Sequence, residues 1–489
     1  MKKINNFYIF YIFCCLFIFL RLEIFYGSDM RAPFTDDFYY YLTTAKNYIN
    51  LGLITFDKIS LTNGFQPLWF LIITLVYFVF PNDIIFNCII ISSIFLLSLF
   101  SYINFRKYLI QNYYKIEESE LIASLIAYLS LFFSKNGMEI SLAIFFFSWS
   151  LLHLKNNILL CCILCFLTFL SRLEFLIFYF VIFVNELFLN KKILSISFVL
   201  KLSLLPLLVF IYVLINFYFF GALLPQSGIA KSLNQNIMFN KETFSFLFAD
   251  GYGMKFITLM FYINCLGIIF LFTKKIKKLT KLSIITNIIF FSSNSLRSAW
   301  PLWTWHFFFF SISTALLLND FLNILKIRYK RNLNIFIGIF FTMSYLFLFI
   351  ENLNINNDHM LNVAKKIDKH FAKDNNKIFA MGDMAGKVSY LLDKKLIQLE
   401  GLVGGNKVIN KIKSEESLCK LFQDLNVDIY LTNHIKREKN YYYVSEPSQK
   451  SKNIKKMRAI LIDDNPKVFF SGSLKIYAFN LKSNTICKN

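Results

Sequence analysis

Two adjacent carboxylates, Asp36 and Asp37, open the stretch of this sequence whose residue types best suit chemistry. A hydroxyl is a weak nucleophile at neutral pH, so one carboxylate could take its proton while the other positions that hydroxyl or shares a metal ion. The stretch runs Thr35-Asp36-Asp37-Phe38-Tyr39-Tyr40-Tyr41, through Ala45-Lys46-Asn47 and Gly52, to Thr62-Asn63-Gly64-Phe65-Gln66-Pro67-Leu68-Trp69. A plainer reading competes with catalysis. Thr35 can cap a helix, and acidic residues in a first helical turn are favoured by the helix dipole.

The element that must hold these carboxylates is a helix. Phe38, Tyr41, Leu42, Ala45, Tyr48 and Ile49 recur at helical spacing, with Asp37, Tyr40, Thr43, Thr44 and Asn47 on the other face. This pattern predicts an amphipathic helix lying on a membrane surface. A second, shorter apolar run, Leu68 to Phe80, follows the Asn63-Gly64 turn with Pro67 in its first turn. Counting it as a membrane span would put Arg106-Lys107 on the wrong side, so it is read as a second surface helix.

Composition places the chain in a membrane. Of its 489 residues 56% are hydrophobic and 60 are Phe, and the mean hydropathy is +0.52; a soluble domain does not tolerate this. The formal charge of +22 does not point to nucleic acid, because Lys and Arg fall between apolar runs and in the last quarter of the chain. The nine cysteines, among them Cys14-Cys15 and Cys161-Cys162-Cys165, have no metal-ligand spacing and are read as core packing. Lys2-Lys3 before the Phe7 to Leu20 run lacks a following small-residue cleavage site, which predicts an uncleaved first anchor.

About eleven spans are expected, near 7–26, 84–105, 120–136, 139–154, 157–171, 173–190, 194–219, 254–273, 280–297, 304–324 and 333–350. Alternate loops are basic, which sets the orientation. Lys2-Lys3, Arg106-Lys107, Lys155, Lys191-Lys192, Lys274-Lys275 with Lys277-Lys278, and Lys326 to Arg331 share the cytoplasmic side. The outer side receives the Asp36-Asp37 loop (27–83), the Lys135 to Glu139 turn, Arg172, the Gly221 to Lys231 loop, the Trp300 to His306 turn and the C-terminal tail. The expected location is therefore an integral, bacterial inner membrane protein with its N-terminus cytoplasmic.

Residues 1–350 form the membrane domain in this reading, and 351–489 a soluble extracytoplasmic one with 24 Lys and Arg against 15 Asp and Glu. Strand-like runs at 377–381, 396–399, 428–431 and 475–479 alternate with helical patterns at 359–371 and 415–425, predicting a small α/β fold. Gly382-Asp383-Met384-Ala385-Gly386 follows the first strand but lacks the further glycines and the Lys-Ser or Lys-Thr of a nucleotide loop, so it is read as a turn.

The first outer loop, with its Asp36-Asp37 pair, Asn47 and Thr62 to Trp69, resembles that of the GT-C superfamily of membrane glycosyltransferases. Asn136-Gly137-Met138-Glu139, Asn216 to Gly221, Leu224-Pro225-Gln226-Ser227-Gly228 with Lys231, and Leu399 to Val403 resemble a bacterial branch of it. The superfamily includes protein O-mannosyltransferases and the aminoarabinose transferase of lipid A. The resemblance implies a polyprenyl-phosphate-linked sugar as donor and a hydroxyl on a glycan, lipid or protein as acceptor, with inversion at the anomeric carbon. By position Asp36 matches the family's base and Asp37 its acidic neighbour.

The leaving phosphate needs cations as charge develops, and Arg172, Lys231 and Arg297 are the candidates, with Asn63 and Gln66 as further substrate-binding residues. Local pairing with Glu174 is the alternative for Arg172, and a solvated loop charge the alternative for Lys231. Glu139 is the candidate metal ligand. A divalent cation, Mg²⁺ or Mn²⁺, serves some relatives and not others, and a lone Glu at a helix start is also a cap. His306 with Trp300, Trp303 and Trp305 is read as an interfacial aromatic belt. The rivals to transfer are a transporter or flippase of lipid-linked sugars, which would put ionisable groups at the bilayer midplane, and a non-catalytic scaffold.

Overall fold

The computed structural model describes residues 34–488 except 135, 190–195, 234–238, 250–251, 328–331, 334, 335, 337, 341–358 and 449–452; before Phe34 only Leu16 and Leu20 are described. The expected spans at 7–26 and 333–350, Cys14-Cys15, Lys2-Lys3 and Lys191-Lys192 lie wholly or largely outside the described residues.

The membrane part is a bundle of apolar helices. Among the described residues three are long and apolar enough to cross a membrane by length and composition, Asp83–Gln111, Ile196–Phe220 and Thr304–Ile324, and shorter apolar helices such as Ile140–His153 and Ile158–Ser171 accompany them. Asp83–Gln111 runs past the expected end at 105, and Arg106 in this extension meets Glu120 at 3.2 Å. Its start is fixed by Asn82, whose side chain accepts from the backbone N–H of Ile84 and Ile85. Helix Ile196–Phe220 has its large apolar side chains exposed along most of its length, as a lipid-facing helix would.

The charge alternation read from the sequence has a spatial counterpart. At one end of the bundle Lys277 meets Glu118 at 2.7 Å, Lys278 meets Glu186 at 2.9 Å and Lys155 donates to Asn112 at 2.8 Å. All of these cations belong to loops assigned to the cytoplasmic side. The loops assigned to the outer side gather at the opposite end.

The Asp36 helix spans Asp36–Leu51 and ends on Gly52, whose φ of +69° is the left-handed cap a glycine accepts without cost. Its polar face does not meet water. Tyr40, Thr43, Thr44 and Asn47 are buried along with Phe38, Leu42 and Ala45. The expected surface helix is in fact enclosed, because the C-terminal domain lies over the face that would otherwise be wet. Asn47 donates to the carbonyls of Thr55 and Phe56 and so folds the following loop back onto the helix. The short helix Pro67–Val79 forms as expected, with Leu71, Leu75, Phe78 and Val79 exposed.

The C-terminal domain begins in the described residues with helix His359–His370 and contains two sheets. Strands β1 (Ile378–Met381), β2 (Lys395–Gln398), β3 (Ile429–Thr432), β4 (Ile435–Glu438), β5 (Tyr441–Glu446), β6 (Met457–Ile462), β7 (Lys467–Ser471), β8 (Leu474–Asn480) and β9 (Ile486–Lys488) follow in order. A mixed sheet runs β2-β1-β3-β8-β7, and an antiparallel one β4-β5-β6-β9. Strand alternation divides the work. Ala380, Ile397, Tyr430 and Phe479 face Tyr442, Met457 and Leu461 of the second sheet, whereas Phe379, Met381, Leu396 and Leu431 face helix His359–His370 and, beyond it, Tyr40, Phe56 and Trp300 of the membrane part. A Cys419–Cys487 disulfide joins helix Leu418–Asp424 to β9. Reading all cysteines as core packing missed it.

Candidate functional site

The outer loops converge on a cavity of ≈ 480 Å³ lined by Asp37, Tyr41, Gln66, Glu139, Arg172, Lys231, Arg297, Trp305, His306 and Leu402 among others. Six of the residues singled out in the sequence therefore share one site. Asp36 and Asn63 do not line it.

The motif residues explain how the loops meet. Gly137, with φ +87°, sits so close under the rings of Phe34 and Phe38 that a Cβ there would overlap them, and its carbonyl accepts from the Trp69 indole at 2.9 Å. This seats the start of the Asp36 helix beside Glu139. Asn63 is buried in a second junction, where its Nδ2 donates to Asn216 Oδ1 at 2.8 Å and its Oδ1 accepts from the Gln226 N–H at 3.0 Å. Thr62 adds a bond to Gln226 Oε1 at 2.8 Å. Asn63, expected to bind substrate, thus ties the first outer loop to the Gln226–Lys231 helix and does not line the cavity. Gln66 keeps that expectation open, since its Oε1 is buried in the cavity wall without a hydrogen-bond partner among the described residues.

Arg172 is committed on both sides. One guanidinium nitrogen reaches Glu139 at 2.6 Å and another Glu174 at 3.0 Å, and the group lies over the Phe308 ring at 5.0 Å. Local pairing with Glu174 is real, and a second partner was not foreseen. The other Glu139 oxygen accepts from the Tyr41 hydroxyl, which itself accepts from the Gln66 N–H. Each Glu139 oxygen thus holds one hydrogen-bond partner, and among the described residues no three His, Cys, Asp or Glu side chains gather as a metal set.

Lys231 ends the helix Gln226–Lys231, and its carbonyl accepts from Ala299, which draws the Trp300 turn over the cavity. Burial holds its ammonium below the usual lysine range, and Asp37 opposes that. Asp37 keeps part of its surface open to the cavity, yet loss of water pushes its carboxyl up to about 7. The Lys231 charge pulls it down; Asp36, Asp383 and Glu139 push it up. A carboxylate poised near 7 is suited to general-base work.

Asp36 faces away from the cavity. Its carboxylate accepts from the backbone N–H of Gly386 at 3.0 Å and of Lys387 at 2.8 Å. These amides open helix Ala385–Leu392, so the Gly382 to Gly386 segment, read as a plain turn, binds an anion supplied by the chain itself. A strand, a glycine-rich turn and a helix start were the available signal; the distance of 350 positions hid the partner.

Behind this turn lie two buried acids. Glu446 accepts from the Tyr430 hydroxyl at 2.9 Å, while its Oε2 has no hydrogen-bond partner among the described residues. Burial raises its pKa to about 7, and burial, with the charges of Asp383 and Glu446, pushes Glu400 well up as well. A raised folded-state pKa means the folded chain binds more protons, so the domain loses stability as pH rises from the ordinary glutamate range to about 7. Glu446→Gln removes that loss, raising stability at pH 8 by on the order of 3 kcal/mol and leaving it nearly unchanged at pH 5. Thermal unfolding of the detergent-solubilised protein at both pH values measures it.

His306 and Trp305 also belong to the cavity wall rather than to a belt alone; His306 Nδ1 accepts from the Trp303 N–H at 3.1 Å. Trp303 is exposed at 41%, in keeping with the interfacial place expected of it.

No family model and no curated protein matches the chain. Among solved structures the chain is similar to ArnT from Cupriavidus metallidurans bound to undecaprenyl phosphate, with a TM-score of 0.53 at 10% identity, covering 98% of this chain and 99% of that one. ArnT from the same organism in the apo state gives a TM-score of 0.51 at 11% identity, covering 86% and 92%. Over nearly its whole length, then, the chain has the fold of this ArnT.

Proposed function

We propose that the protein is a membrane glycosyltransferase that moves a sugar from a polyprenyl-phosphate carrier to a hydroxyl of a glycan, lipid or protein. The observation that carries this reading is that Asp37 shares one cavity with Lys231, Arg172 and Arg297 at the bundle end where the outer loops meet. Asp37 takes the acceptor proton as the hydroxyl attacks the anomeric carbon. The bond from that carbon to the carrier phosphate breaks on the opposite face, so the configuration inverts. Lys231 and Arg297 meet the phosphate as its charge grows, whereas Arg172 already offsets Glu139 and Glu174.

The bound lipid in one ArnT structure, undecaprenyl phosphate, supports a carrier of this class. The Cys419–Cys487 disulfide supports an outer-face site, because disulfides persist in oxidising compartments. The ionisable candidates cluster at the loop end of the bundle, which favours transfer over a transporter with midplane charges. The test is a transfer assay in nanodiscs with radiolabelled polyprenyl-phosphate sugars and membrane-extract acceptors. Label moving to an acceptor is the expected result; carrier binding without transfer across the panel would favour the transporter or scaffold reading.

A further inference from the structure

The C-terminal domain does more than cover the cavity. Leu402 is part of the cavity wall, and its carbonyl lies so close to Gly64 that a Cβ at that position would collide with it. Gly386 lies against the Asp36 carbonyl, less tightly but still too close for a Cβ. Around this centre the two parts are riveted by polar contacts, Tyr390 to Asp83 at 2.6 Å and Lys58 to Asp393 at 2.8 Å. Contact this close leaves no water layer between the domain and the first turn of the Asp36 helix.

A carboxylate facing two helix-terminal amides is restrained in both place and orientation. Asp36 is thereby pinned from outside, and Asp37, the next residue on the same helical turn, is aimed into the cavity. Catalysis is sensitive to such placement, since a misplacement of about 1 Å can cost ~10²-fold in rate. We propose that Asp36 is a positioning residue and that the C-terminal domain, through the Gly386 and Lys387 amides, sets the catalytic carboxylate. The inference rests on the transferase reading with Asp37 as base. It separates the two aspartates by role: one reacts, the other is held.

Gly386→Ala tests this without touching a titratable group. Its added Cβ pushes the amides off Asp36, and the expected result is a tenfold to ~10²-fold loss of kcat with donor KM within twofold of wild type. Asp36→Asn retains an oxygen for one amide, so it keeps several-fold more activity than Asp36→Ala. Its rate rises at lower pH than that of wild type, because burial still raises the Asp37 pKa but one of the acidic neighbours that add to it is gone. Asp37→Asn is run beside them. If that variant transfers normally, the base assignment fails; if Gly386→Ala has wild-type kcat, or Asp36→Asn is as inactive as Asp37→Asn at every pH, the positioning role fails. Hydrogen exchange on the full chain in nanodiscs reads the contact without turnover. Protection of the Gly386 and Lys387 amides is expected in wild type and Asp37→Asn and lost in Asp36→Ala; unprotected amides in wild type overturn the proposal.

Discussion

Asp37→Asn lowers transfer by about 10³-fold while undecaprenyl phosphate still binds, because the amide keeps the side chain's size but cannot accept the acceptor's proton. The expectation follows from position first. Asp37 faces the cavity with three cations around it, and its carboxyl is held at about 7 by loss of water. A base with this pKa is largely ionised at slightly alkaline pH and still strong enough to share a proton in the transition state. The measurement is kcat under saturating donor, with binding of undecaprenyl phosphate as the control for fold.

Lys231→Met gives the second large effect, a loss of ~10²- to 10³-fold in kcat. Two causes add. In the proposed mechanism the ammonium meets the carrier phosphate where charge develops, and it is the opposing charge that keeps the Asp37 pKa from rising further. Without it, protonated Asp37 persists to higher pH, so the rise of activity with pH moves upward as well. An exposed lysine far from the cavity, such as Lys436, has neither role, and Lys436→Met leaves the profile in place. Loss of rate in Lys231→Met without any upward move would separate the phosphate role from the electrostatic one.

Much of the membrane part was legible because hydropathy and charge are read residue by residue. Alternating basic loops sorted Asp37, Glu139, Arg172, Lys231 and Arg297 to one side, and the fold brings those residues to a single cavity. The cationic types were informative for the same reason: a charge near membrane depth needs a purpose. What the chain order hides is pairing across long separations. Asp36 and Gly386 are 350 positions apart, and nothing local marks Gly386 as an anion binder for a particular carboxylate. Arg172 had a visible neighbour in Glu174, but its tighter bond to Glu139 crosses between helix ends.

The C-terminal domain was half legible for a related reason. Runs such as Ile378–Met381 and Ile429–Thr432 are buried and strongly apolar, so they read as strands. Strand Ile435–Glu438 is a run of charges and Tyr441–Glu446 opens on three tyrosines, so neither shows strand alternation of polar and apolar residues until pairing sets Lys436, Arg437 and Glu438 opposite those rings. The polar face of the Asp36 helix misled in the opposite sense. Its Thr43, Thr44 and Asn47 look like residues meant for water, yet Thr44 bonds the Tyr40 carbonyl and Asn47 the loop beyond, which lets the C-terminal domain cover them.

The central claim, that Asp37 is the base, is tested most directly by the pH dependence of kcat/KM for transfer. Wild type is predicted to rise through a single ionisation at about 7 as Asp37 loses its proton, and the Asp37→Asn variant to lose that rise along with its activity. A rise centred in the ordinary carboxylate range, or one that survives in Asp37→Asn, would contradict the account.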